Sequence, residues 1–186
     1  MAISSMKTKL MSSRLLLGNT AFDGRTASFD SIATLSGSGL ATVSFTSIPQ
    51  TYKSLQLRMW VRDSNGIAPL VRFNGSSVAA YGGNTQMQLT TPNTVIGSSI
   101  STTTGTSTSA GYSTSFVNYI MPSIADILDY SSTSKNKTIA FHSTLPSTVY
   151  TQSNIWADTS AITSIVIFIP TGSWQTGSSF ELYGVN

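Results

Sequence analysis

Few residues of this chain can carry out nucleophilic, acid–base or metal chemistry. It has one histidine, His142, and no cysteine, so a Ser-His-Asp system would have to use His142, and cysteine-based metal, redox and disulfide sites are excluded. His142 lies in "TIAFHS", where it alternates with Ala140. This pattern predicts an imidazole on the surface of a sheet and not a catalytic base.

Two carboxylates, Asp126 and Asp129, stand three residues apart in "PSIADILDYSS" (122–132). The proline start and the helical spacing of the apolar residues predict one short helix in this segment. Those apolar residues are Ile124, Ile127 and Leu128. Two carboxylates on one helical turn can hold a cation or act as acid and base. Capping and ion pairing with Lys135 and Lys137 are more ordinary roles, and we expect those.

The remaining candidates for chemistry are weaker. The glycines lack the spacing of phosphate-binding loops. Exposed tryptophans can stack on sugar rings, but packing in a core or interface is the expected role of Trp60, Trp156 and Trp174. A glycan-cleaving enzyme would have to use Asp126, Asp129, Asp158 and Glu181. We expect no such activity, and the sequence predicts no catalytic, cofactor-binding or metal-binding residue.

The elements that position these residues are predicted to be β-strands. Charged residues make up 9% of the chain, against about 25% in ordinary domains, and hydrophobic residues make up 40%. Short runs of Thr, Val, Ile, Tyr and Phe favour a pleated sheet, and helix-forming residues are scarce. About eight to ten short strands between polar turns predict an all-β, jelly-roll-like β-sandwich with at most one short helix.

Three segments give the clearest strand signals. In "SLQLRMWVR" (54–62), leucine, methionine and valine side chains take one face and polar or aromatic side chains take the other. "AITSIVIFIP" (161–170) is almost continuously apolar, which is typical of a strand covered on both sides or of a subunit contact. In "SSFELYGVN" (178–186), Phe180 and Leu182 share one face, so a strand is predicted there too.

Two segments lie outside this pattern. Residues 1–35 are predicted to form an extended N-terminal arm, and residues 36–186 the β-sandwich domain. The arm contains scattered apolar side chains, so it is either a flexible terminus or a segment that orders against a partner subunit.

The hydroxyl-rich segment 97–115 is predicted to be a long exposed loop. It is either solvated or in contact with a neighbouring subunit or a host glycan.

The positive charge of the chain is concentrated at its start. Residues 1–25 account for the whole net charge of +3, and the remaining basic and acidic residues balance. A nucleic-acid surface needs basic residues clustered on a folded face, so we expect no nucleic-acid partner. No stretch approaches the ~20 apolar residues of a membrane helix, and "LLL" (15–17) is too short for a signal-peptide core. We therefore expect no membrane partner and no export.

Four sequence blocks resemble small virion structural proteins of tailed bacteriophages. "IWADTSAITSIVIFIPTGSWQTGSSFELYGVN" (155–186) is similar to their ending, W-x-x-TSAITSI, a glycine-rich turn and S-x-F-x-LYG. The other blocks are "VSFTSIPQTYKSLQLRMWVRD" (43–63), "VRFNG" (71–75) and "DILDYSSTSKNKTI" (126–139). The resemblance spans about residues 40–186 and excludes the arm. It implies a structural virion component without enzymatic activity or cofactor, among either head or tail proteins.

Two functions are consistent with this resemblance. The favoured expectation is a capsid decoration (cement) protein that binds the major capsid protein on the outer head surface as a homo-oligomer, expected to be a trimer. The alternative is a tail-fibre or tail-tip module that binds host surface glycan. In the first case the arm would hold the partner through basic and apolar side chains: Lys7, Lys9, Arg14, Leu15, Leu16, Leu17 and Phe22.

Overall fold

The computed structural model describes residues 28–76, 81–89, 95–102, 106–107, 119–145 and 148–186, and these residues form twelve strands and no helix. In chain order the strands are β1 Phe29–Ser36, β2 Thr42–Phe45, β3 Ser54–Val61, β4 Leu70–Phe73, β5 Tyr81–Leu89, β6 Val95–Thr102, β7 Thr106–Ser107, β8 Met121–Leu128, β9 Lys137–Leu145, β10 Thr148–Trp156, β11 Ile165–Phe168 and β12 Ser179–Val185.

The strands form two antiparallel sheets of unequal width. The large sheet has eight strands in the order β1-β12-β3-β8-β9-β10-β5-β6, and the small sheet has four in the order β2-β11-β4-β7. Apolar side chains from both sheets form one buried cluster between them. The prediction of an all-β sandwich is confirmed, with twelve strands where the sequence predicted about eight to ten.

The strands predicted for three segments are present, and two of them, β3 and β12, show the predicted alternation. In β3, Leu55 and Leu57 point into the core and are fully buried. In β12, Phe180 and Leu182 do the same, and this strand lies between β1 and β3 inside the large sheet. The short strand β11 lies between β2 and β4, so the apolar run 161–170 supplies an interior strand of the small sheet. Burial of alternate side chains on facing sheets therefore sets the strand positions.

The helix predicted for 122–132 is wrong. Residues 121–128 form β8, and a turn follows in which Asp129 has a φ of 55°. Side chains alternate strictly along β8, with Ala125 and Ile127 inward and Ile124 and Leu128 outward. The apolar residues that looked helical thus belong to two faces of a strand. Pro122 is tolerated because the pairing of β8 with β9 begins only at Ser123.

The predicted boundary between arm and sandwich is also wrong. Residues 29–35 belong to β1, which pairs with β12 along its whole length except for an irregularity between Ser31 and Ala33. Residues 1–27 lie outside the described residues.

The predicted loop 97–115 needs a similar correction, because residues 97–102 belong to β6 and residues 106–107 form β7. Threonine favours strands, and β5 supplies the hydrogen-bonding partner of β6.

Candidate functional site

The residues predicted from sequence for partner binding cannot be placed. Lys7, Lys9, Arg14, Leu15, Leu16, Leu17 and Phe22 all lie outside the described residues. Of the three tryptophans, Trp156 and Trp174 are buried in the core, as expected, while Trp60 is 38% exposed on β3. His142 lies on the outer surface of β9, as predicted, with its Nδ1 3.5 Å from the hydroxyl oxygen of Thr151.

The two candidate carboxylates do not share a helical turn, because Asp126 lies in β8 and Asp129 lies in the turn after it. Asp126, on β8, accepts a 2.8 Å hydrogen bond from the amide of Gln56 on β3. Asp129, in the turn, forms the predicted ion pair with Lys135 at 3.0 Å. Both partners of that ion pair are largely exposed, so it contributes only about 0–1 kcal/mol to stability. No group of three or more metal-ligating side chains occurs in the part of the chain that the structure describes.

Lys137 does not pair with these carboxylates as expected. Its side chain is fully buried, and its Nζ donates to the backbone oxygens of Lys135 at 2.6 Å, Asp158 at 3.3 Å and Thr159 at 3.0 Å. The ammonium also lies 5.9 Å from the centre of the Trp156 ring. Burial lowers the pKa of Lys137, and the charges of Asp158 and Asp129 oppose this shift. Lys137 therefore fastens the chain after β10 to the start of β9.

Polar side chains that the sequence did not bring together meet on the outer face of the large sheet. They lie on β12, β3 and β8, three neighbouring strands, and we call them the Arg58 network. Arg58 Nε donates to Gln56 Oε1 at 2.7 Å, and Gln56 donates in turn to Asp126. The guanidinium lies 4.4 Å from the centre of the Tyr183 ring and 5.1 Å from that of Phe29. These contacts fix its plane.

The other end of the Arg58 network is a hydrogen-bonded pair on β12. The hydroxyl of Tyr183 donates to Glu181 Oε2 at 2.7 Å. This hydrogen bond, with a smaller contribution from burial, raises the pKa of Tyr183. Glu181 lies directly opposite Arg58 in the strand register, although its carboxylate bonds to the tyrosine. The network thus holds one guanidinium and two carboxylates, Asp126 and Glu181, on one face of the large sheet.

Trp60 continues this surface by one step along β3. It follows Arg58 by two residues, so both side chains are on the same face. Its neighbours across the sheet are Ser179 on β12 and Pro122 on β8. The sequence showed Gln56, Arg58 and Trp60 on one strand face. It gave no signal that the partners of this face would come from β12 and β8.

Exposed apolar side chains form a second feature of the same face. Phe29 on β1, Leu128 on β8 and Ile155 on β10 are each 41–46% exposed. The register places them in a single line across six strands, with Val185, Ser54 and Thr138 between them. We call Phe29, Leu128 and Ile155 the apolar row. It spans about 24 Å at the usual strand spacing of about 4.8 Å.

Comparison with known proteins identified no similar protein. No protein-family model, no curated protein and no solved structure matches this chain. Within the described ranges, no helix is long and apolar enough to cross a membrane.

Proposed function

We propose that this chain is a non-enzymatic structural protein of a bacteriophage virion, and that it is a capsid decoration protein on the outer surface of the head. The proposal starts from the four sequence blocks that resemble those of virion proteins. The structural observation that supports it is the apolar row, because three large apolar side chains exposed at one end of a sheet can be buried against a protein partner. Its partner in this proposal is the major capsid protein.

The apolar row would contribute a moderate affinity for each copy. Full burial of such side chains is worth about 1.5–3 kcal/mol each, and association costs several kcal/mol in lost freedom. Attachment would therefore depend on several contacts acting together. A homotrimer at a threefold position of the coat lattice, with an N-terminal arm from each subunit, supplies that multivalency.

Copy number tests the proposal directly. Quantitative staining of purified virions should show on the order of hundreds of copies per particle, because a decoration protein follows the symmetry of the coat lattice. The major capsid protein in the same gel lane is the internal standard. A count of about a dozen or fewer would place the chain in the tail and reject the decoration role.

A tail-fibre or tail-tip module that binds host surface glycan is the second candidate. The observation that favours it is the 38% exposure of Trp60 on the outer face of β3, since an exposed indole can stack on a sugar ring. The same copy-number measurement separates the two candidates.

A further inference from the structure

We propose that Asn65 is a site of spontaneous covalent modification, at which the side-chain amide is converted to a carboxylate. The proposal concerns the loop after β3 and does not depend on the virion role. The chain contains two Asn-Gly pairs, Asn65-Gly66 and Asn74-Gly75. Glycine has no side chain to keep the preceding amide away from its peptide nitrogen, so the sequence makes both pairs equally reactive. The structure distinguishes between them.

The reaction requires only water. The peptide nitrogen of Gly66 attacks Cγ of Asn65, and the new C–N bond closes a cyclic imide. The bond from Cγ to Nδ2 breaks, and Nδ2 leaves as ammonia with the proton lost from the peptide nitrogen. Water then opens the imide at either carbonyl. One product is aspartate in the normal backbone, and the other is isoaspartate, in which the chain continues through Cγ.

The reacting groups of the first pair are available in the folded protein. Asn65 is exposed, and its side-chain amide, which lies beside Gly172, makes no hydrogen bond within the described residues. In the same part of the chain, the peptide nitrogen of Gly66 makes none either, because the amides on both sides of it, those of Asn65 and Ile67, donate to Asp63 Oδ1 at 2.7 Å and 3.1 Å. The nucleophile and its target are therefore both unrestrained by hydrogen bonds.

The second pair is exposed as well, but its side-chain amide is fixed. Asn74 Oδ1 accepts from the backbone nitrogens of Thr163 at 2.8 Å and Ser164 at 3.2 Å, and from the Thr163 hydroxyl at 3.2 Å. Its Nδ2 donates to the backbone oxygen of Ala161 at 2.8 Å. Rotation of Cγ toward Gly75 must break these bonds, so the fold protects Asn74.

Modification at residue 65 would change both charge and backbone length. The new carboxylate is ionised at neutral pH, so the net charge falls from +3 to +2, and the added charge lies two residues from the buried Asp63. Isoaspartate also inserts one extra carbon into the backbone between the two amides that bond to Asp63 Oδ1. We expect this double hydrogen bond to be lost and the loop to be loosened.

Peptide mapping by mass spectrometry measures both sites in one sample of the full chain kept in mildly alkaline buffer. In the folded protein, Asn65 should convert at least about tenfold faster than Asn74, the factor that one or two broken hydrogen bonds supply. In urea, where neither pair is held by the fold, the two rates should agree within about threefold. Equal rates in the folded protein, or conversion of Asn65 only in urea, would overturn the proposal.

Thr163→Val tests why Asn74 is protected. The substitution removes the hydroxyl donor to Oδ1 and keeps the branched shape of the side chain. Conversion of Asn74 in the folded protein should become at least about twofold faster, and the rate at Asn65 is the internal control. An unchanged rate at Asn74 would contradict protection by these hydrogen bonds.

Asn65→Asp separates the effect of charge from that of backbone length, because it carries the new carboxylate on a normal backbone. The isoaspartate form, isolated by ion exchange from converted protein, should have a lower melting temperature than Asn65→Asp, since only isoaspartate lengthens the loop that Asp63 holds. Equal melting temperatures would show that the loop tolerates the longer backbone and would contradict this consequence.

Discussion

Lys137 carries a positive charge inside the fold, and three backbone oxygens make that position tolerable. Lys137→Met keeps most of the aliphatic volume and leaves these carbonyls without their donor. We expect the free energy of unfolding to fall by about 1–3 kcal/mol, measured by urea denaturation. Lys135→Met is the matched control, since that lysine is 64% exposed in a surface ion pair and its loss should cost at most about 1 kcal/mol. Equal losses in the two variants would refute this role of Lys137.

Lys137 also predicts a dependence of stability on alkaline pH. Its pKa in the folded protein is lowered from 10.5 by burial. Between the folded and unfolded pKa values the unfolded chain binds more protons, so this residue makes stability rise as pH increases through that window. Tyr130 acts in the opposite direction, because burial raises its pKa above 10.0. The difference in unfolding free energy between the wild type and Lys137→Met isolates the contribution of this lysine. A difference that stays constant across this pH window would contradict the prediction.

At the scale of elements, β12 determines whether the large sheet forms. Deleting residues 180–186 removes Phe180 and Leu182, whose burial is worth about 1.5–3 kcal/mol each. It also separates β1 from β3, because β12 is hydrogen-bonded to both. We expect this truncation to abolish cooperative thermal unfolding monitored by circular dichroism. A soluble truncated chain that melts cooperatively would show that the sheet can close without β12.

β1 determines where the proposed N-terminal arm can be removed without loss of the sheet. A chain that starts at Ser28 keeps β1, and we expect it to fold with the wild-type melting temperature while attaching poorly to bare phage heads. A chain that starts at Ser36 loses the pairing of β1 with β12, so it should be destabilised as well. Thermal melts and co-sedimentation with bare heads check both chains. If the chain from Ser28 coats heads as densely as the full chain, residues 1–27 are not needed for attachment.

At the scale of the whole molecule, the apolar row predicts which end of the sheet contacts the proposed capsid partner. Ile155→Ser should weaken attachment to bare heads at least about tenfold, the equivalent of about 1.4 kcal/mol, and leave the melting temperature nearly unchanged because the side chain is exposed. Val149→Ser is the matched control on the same strand, since Val149 is similarly exposed but lies outside the apolar row. Co-sedimentation with bare heads measures the attachment of both variants. Equal attachment would exclude the apolar row as the binding surface.

The sequence predicted the sandwich but not its surface. Strict alternation in β3 and β12 identified their buried faces because each strand has one apolar and one polar side. β8 was misassigned because Ile124 and Leu128 are apolar on its exposed side, which imitates a helical period. The Arg58 network joins residues more than a hundred positions apart, such as Arg58 and Tyr183. Strand order creates such contacts, and a single sequence does not reveal strand order.

The position of β12 also affects the order in which the large sheet can be assembled from its strands. The strand lies inside the large sheet and pairs with β1, which precedes the other eleven described strands. While the ribosome is still translating, β1 and β3 are made early and have no partner on their facing edges until residues 179–185 emerge. The large sheet therefore cannot be completed before β12 is available, and until then the facing edges of β1 and β3 are open to pairing with the same edges of other copies.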